Sequence, residues 1–120
     1  MRSQVSDEGA ATVWSLALIS VVVFAGLISG AVATQVIARQ RLAATADVAV
    51  LAAAQSDAAP CAAAGRMAIA NGAELVECNA LGQDVIIIVS APAPDLVRRM
   101  MDLLGQPAGD LMATARAGPP

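Results

Sequence analysis

The side chains with the most chemistry to offer are two thiols, Cys61 and Cys78. Two thiolates with no histidine and no further cysteine cannot close a tetrahedral zinc site. A C-x-x-C redox motif is absent. The pair is therefore either a disulfide or two buried thiols, and the choice turns on the compartment that the residues occupy. The acids Asp47, Asp57, Glu74, Glu77, Asp84, Asp95, Asp102 and Asp110 fall singly, without the spacing of an acid/base pair. Ser90 and the other serines have no histidine to activate them, because the chain contains none. No catalytic residue and no cofactor-binding or metal-binding set is expected, and the sequence is read as non-enzymatic.

Composition narrows the partners. The net charge is −3, which argues against a phosphate-binding surface. One Trp, one Phe and no Tyr leave no stacking platform for single strands, so no nucleic-acid partner is expected. Alanine supplies much of the apolar content and favours helix.

These residues must be positioned by few elements. From Ala10 to Ala38 the chain carries no formal charge, and it is densest in Val, Ile and Leu between Leu16 and Ile28. That run is about 43 Å long as a helix, enough to cross a hydrocarbon core of about 30 Å. Gly26 and Gly30 form a small-xxx-small pair, which suits close helix contact but is also common in such segments. No breaker follows, so the helix continues through Gln55. Leu42, Ala46, Ala49, Val50 and Ala53 fall on one face of this extension. Arg39 and Arg41 can meet lipid headgroups or simply stay solvated, and solvation is the simpler reading.

SDAAP at 56–60 breaks the pattern, and Pro60 fits the first turn of a short helix to Ala70. Asn71-Gly72 reads as its left-handed cap. AELVEC alternates, with Leu75 and Glu77 on one face and Val76 and Cys78 on the other. NALGQ carries the turn, with Gly82 at positive φ. DVIIIVS, residues 84–90, is a continuous β-branched run, expected to be a strand covered on both faces. Asp95 is placed as the cap of a helix whose Leu96, Val97, Met100, Leu103 and Leu104 form one apolar stripe closed by Gly105. LMATAR, residues 111–116, reads as a third short strand. The fold class is α+β: a long N-terminal helix, then a helix, a hairpin, a helix and that strand.

Cys61 lies on the short helix with Ala64, Gly65, Ala68 and Ile69, and Cys78 ends the first strand on the Val76 face. The two faces are expected to pack together, so a bridge is sterically natural if the module is exported. Its loop would be worth about 3 kcal/mol in the chain-entropy model.

Three fates are open to the N-terminus. An uncleaved anchor is one. The arginines at 39 and 41 then favour a cytoplasmic C-terminal side, against the disulfide. A secretory signal peptide cut after Ala33, at AVA before Thr34, would release a small exported binding protein. Its apolar region is longer than such segments need. A pore-forming protein fits poorly with a single span and a structured C-terminal part.

The third fate rests on Gly9. A short polar leader ending in glycine, followed by small residues and a long apolar helix, resembles a prepilin. GAATVWSLALISVVV is similar to the start of the TadE/TadG class of tight-adherence (Flp) pilus proteins. RQRLAATADVAVLAAA, residues 39–54, resembles their helix signature, with Arg41, Ala44, Ala46, Asp47, Ala49 and Leu51 in matching places. C-A-A-A-x-R, A-N-G-A-x-L-V-x-C and the closing ARAGP resemble a narrower set, the TadE-like proteins encoded beside helicase and secretion genes in actinobacteria, in which both cysteines have counterparts.

The resemblance implies a prepilin-type cut between Gly9 and Ala10 by a membrane-embedded peptidase. It implies a polar leader over 1–9, a transmembrane helix over 10–38, a helix extension over 39–55 and an extracytoplasmic α+β module over 56–120. The implied location is the cytoplasmic membrane, crossed once, with the cell surface or secretion as later destinations. The implied partners are the membrane, other pilin-like subunits or secretion-system membrane proteins, and the prepilin peptidase. Trp14 stands where such pilins usually carry a glutamate used in assembly. An unpaired carboxylate in lipid is kept only for such a role. The departure points to a minor or accessory subunit of a pilus or secretion system, with Trp14 as an interfacial anchor.

Overall fold

The computed structural model describes residues 7–119, so the first six residues of the expected leader lie outside the described part. Six elements follow in order: α1 (Asp7–Ala54), α2 (Pro60–Ala70), β1 (Glu74–Leu81), β2 (Asp84–Ala91), α3 (Asp95–Leu103) and β3 (Leu111–Ala117). The fold class is α+β, as the sequence reading held. The helix starts before Gly9, so Asp7 and Glu8 of the expected leader are already helical.

The chain divides into two units, one ending at Ala33 and the other beginning at Thr34. In the first, α1 is long and apolar enough to cross a membrane, and its side chains are exposed: Leu16, Val22 and Phe24 keep about two thirds of their surface. Its serine hydroxyls donate within the helix, Ser15 to the Ala11 carbonyl, Ser20 to Leu16 and Ser29 to Ala25. A hydroxyl satisfied inside its own helix adds little cost to placing that segment in lipid.

In the second unit, the remainder of α1 and α2 supply small side chains to one face of a three-stranded sheet. The sheet order is β1-β2-β3, with both pairs antiparallel. The core is Leu42, Ala46, Ala49, Val50 and Ala53 of α1, Ala64 and Ala68 of α2, Ala73 just before β1, and Val85, Ile87, Val89, Leu111 and Ala115 of the sheet. The helical stripe read from the sequence is thus the buried one. Alanine at the contact lets a helix approach closely.

Loop chemistry follows the expected glycines. Gly72, at φ +76, ends α2 in a Schellman motif: Ala73 N–H donates to the Ala68 carbonyl and Gly72 N–H to Ile69. Gly82, at φ +62, opens the tight hairpin turn between the paired Leu81 and Asp84. The turn is shorter than NALGQ suggested, because Asn79 and Ala80 stay in the ladder.

Several expectations are corrected. β2 is fully buried on one face only, since Val85, Ile87 and Val89 are buried while on the other face Ile86 is 41 % exposed and Ile88 half-buried. The β-branched run marks a strand without saying how many faces are covered. The stripe on α3 is not buried: no α3 residue reaches the core, Leu103 is 88 % exposed and Leu104, just beyond the helix, 71 %. Asp95 is not the cap of α3. Pro94 holds that position, and the Asp95 carboxylate pairs instead with Arg98 one turn on. Ile69 is exposed, so the packed face of α2 is Ala64 and Ala68 without it.

Candidate functional site

The residues singled out in the sequence do not converge on one site. They fall into a processing region at the start of α1, a two-faced stretch of α1 around 41–53, and the cysteine pair.

Gly9 and Ala10 are exposed in the first turns of α1. The Thr12 hydroxyl donates to the Gly9 carbonyl at 2.9 Å, so the expected scissile carbonyl is engaged within the helix. A peptidase acting there must first open this turn. Glycine is among the residues least favourable to helix, which lowers the cost of opening. Trp14 is 71 % exposed, presenting its indole outward from the apolar segment.

Further along, the signature residues divide by face. Ala46 and Ala49 are buried against the sheet, whereas Arg41, Ala44, Asp47 and Leu51 are exposed. At 100° per residue the second group lies roughly opposite the first. One face of the motif holds the module together, and the other is open to a partner. Thr45, at the border, is buried and donates to the Arg41 carbonyl at 3.0 Å.

Cys61 and Cys78 form a disulfide with a Cα–Cα separation of 5.8 Å. It ties α2 to β1. The route to this bridge differs from the sequence expectation. A β-bulge falls between Leu75 and Glu77, leaving Val76 without a partner in the ladder. Leu75 pairs with Val89 and Cys78 with Ile87, both buried, so Cys78 shares the core-facing side with Leu75 and not with Val76. Val76 is 53 % exposed. Sequence alternation could not reveal this, because one inserted residue inverts the faces on one side of the bulge.

A polar clasp closes the other end of the sheet. Arg116 donates from Nη2 to Asp84 Oδ2 at 2.7 Å and from Nε to Oδ1 at 3.3 Å. Hydrogen bonding to Asp84, and then its charge, hold the Arg116 guanidinium above the ordinary arginine range. Gly118 lies against Asp84, whose Cα would be 3.3 Å from an added Cβ and whose carboxylate would be closer still. Sequence reasoning did not find this clasp, and pairing of residues so far apart leaves no local pattern. Among the described residues, no group of three or more metal-ligating side chains lies together.

Residues 9–56 match the family model described as "Putative Flp pilus-assembly TadE/G-like". The match begins at Gly9 and covers nearly all of α1, while the disulfide-linked module lies beyond it. No curated protein and no solved structure matches the chain. The family match supports the TadE-like resemblance drawn from the residues and a pilus-related, pilin-like protein.

Proposed function

We propose that the protein is a non-enzymatic, membrane-anchored, pilin-like subunit, a minor or accessory component of a tight-adherence or related pilus or secretion system. The observation that carries this reading is the Flp pilus-assembly match, which starts at the residue where the leader would be cut. Residues 10–38 cross the cytoplasmic membrane once, and the module over 56–120 faces outward, where a disulfide persists. The flanking arginines favour the opposite orientation, which a bridge joining two elements of the core outweighs. The cysteine frame also favours the narrower actinobacterial set.

A membrane-embedded prepilin peptidase removes the leader between Gly9 and Ala10. The exposed face of Ala44, Asp47 and Leu51 meets neighbouring subunits or secretion-system membrane proteins. Trp14, in place of the assembly glutamate, suits an accessory position better than the shaft of a filament. The test is Gly9→Leu expressed beside an active prepilin peptidase: the wild type loses its leader mass and the variant keeps it. A wild-type chain that kept its leader mass would refute the processing and with it the pilin-like reading.

A further inference from the structure

A groove of about 510 Å³ runs along α1, and nothing proposed so far uses it. Its long wall is one face of α1, from Thr34 through Ile37, Ala38 and Arg41 to Thr45. The opposite side is the α2–β1 turn at Gly72 and the β2–α3 link at Pro92. The volume falls within the range of ligand sites, about 300–1,000 Å³.

The wall changes character along its length. Thr34, Ile37 and Ala38 are the last residues of the uncharged run that begins at Ala10, and Arg41 lies one turn beyond it. Within roughly 10 Å of helix the groove therefore passes from membrane-like to charged. Among the described residues the ion pairs are Arg98–Asp95 and Arg116–Asp84, so the Arg41 guanidinium has no carboxylate partner. A mainly apolar trough with an unpaired guanidinium toward one end matches an amphiphile with an anionic head.

We infer that this groove seats one anionic phospholipid, its phosphate on Arg41 and its acyl end along Ile37 and Ala38. The inference rests on the membrane-anchored reading, since the groove wall continues the apolar run. It gives a reason for arginine on the outward flank, where the usual distribution of positive charge disfavours it. A guanidinium binds phosphate oxygens through paired donors, which a passing solvated cation does not need. A second copy of the chain is the competing occupant, but it would have to bring its own anion to Arg41.

The test is native mass spectrometry of the full chain, released from a mild detergent holding equal amounts of phosphatidylglycerol and phosphatidylcholine. The wild type should retain phosphatidylglycerol in preference. Arg41→Gln should lower that adduct about tenfold, the loss expected for a charge-assisted contact. Arg41→Lys, which keeps the charge but not the paired donors, should retain only part of it, Ile37→Ser should weaken adducts of both lipids, and Arg66→Gln at an exposed position of α2 should change nothing. Thiol labelling of each variant checks that the Cys61–Cys78 bridge has formed, and the lipid preference of the wild type decides the matter even if a variant misfolds. Equal retention of both lipids, no adduct, or a lipid-free dimer would each overturn the inference. Carbonate extraction separates the two levels: a chain released from membranes refutes the anchor itself. A chain retained without an adduct refutes the lipid site alone.

Discussion

Leu75 and Cys78 are three residues apart on β1, yet both face the core of the sheet. In a regular strand that spacing puts two residues on opposite faces. The bulge at Val76 supplies the extra residue that turns Cys78 inward to meet Cys61 on α2. The cross-link therefore depends on an irregularity of the strand as much as on the cysteines.

Deleting Val76 should restore regular alternation and leave Leu75 and Cys78 two residues apart, both still facing the core. The deletion variant is then expected to keep its bridge and stay unlabelled under non-reducing conditions, whereas one residue inserted between Glu77 and Cys78 should turn Cys78 outward and leave both thiols free to label. Val76→Ala, which keeps the bulge, should remain unlabelled like the wild type. An insertion variant that still formed the bridge would show that β1 can shift its register to rescue it.

Removing the bridge should lower stability without changing the fold. Cys61→Ser with Cys78→Ser is expected to cost about 3 kcal/mol, the loop-closure value for this separation. Denaturant unfolding of the full chain in detergent gives the number, and reductant should shift the wild type similarly. A module this small has little other reserve.

The one-sided sheet predicts a contrast between neighbours on β2. Ile87 is fully buried, and Ile87→Ala should cost about 2–5 kcal/mol. Ile86 is 41 % exposed on the other face, and Ile86→Thr should stay within about 0.5 kcal/mol. Thermal unfolding of the two variants measures the difference. Similar losses would mean that the outer face is covered in the assembled protein.

The Asp84–Arg116 clasp predicts a specific pH behaviour. The folded state raises the pKa of Arg116, so its contribution is complete below the ordinary arginine range and is lost only as pH rises through the still higher folded value. Between about pH 6 and 9 the guanidinium stays charged, and Arg116→Gln should shift the melting temperature by the same small amount throughout. Gly118→Ala should displace the Asp84 carboxylate and reproduce the Arg116→Gln shift. A shift from Arg116→Gln that grew or vanished within that window would implicate another titrating group.

How much of this was legible depends on the residue. The stripe from Leu42 to Ala53 could be read because helical periodicity is local, and the structure buries those residues. The short third strand was legible in LMATAR, which pairs with β2 over its whole length. The bulge, the exposed Ile86 and the uncovered stripe of α3 were not legible. Each depends on what lies across the sheet or beside the helix, and residue type carries no record of it. Gly118 illustrates the same limit, since its need for space comes from Asp84 at the start of β2.

The central claim, that the chain is processed as a prepilin, is tested most directly by the N-terminal residue of the membrane-associated product. The account predicts Ala10, from a cut after Gly9. Met1 would mean an uncleaved anchor and Thr34 a secretory signal peptide, and either result would contradict it.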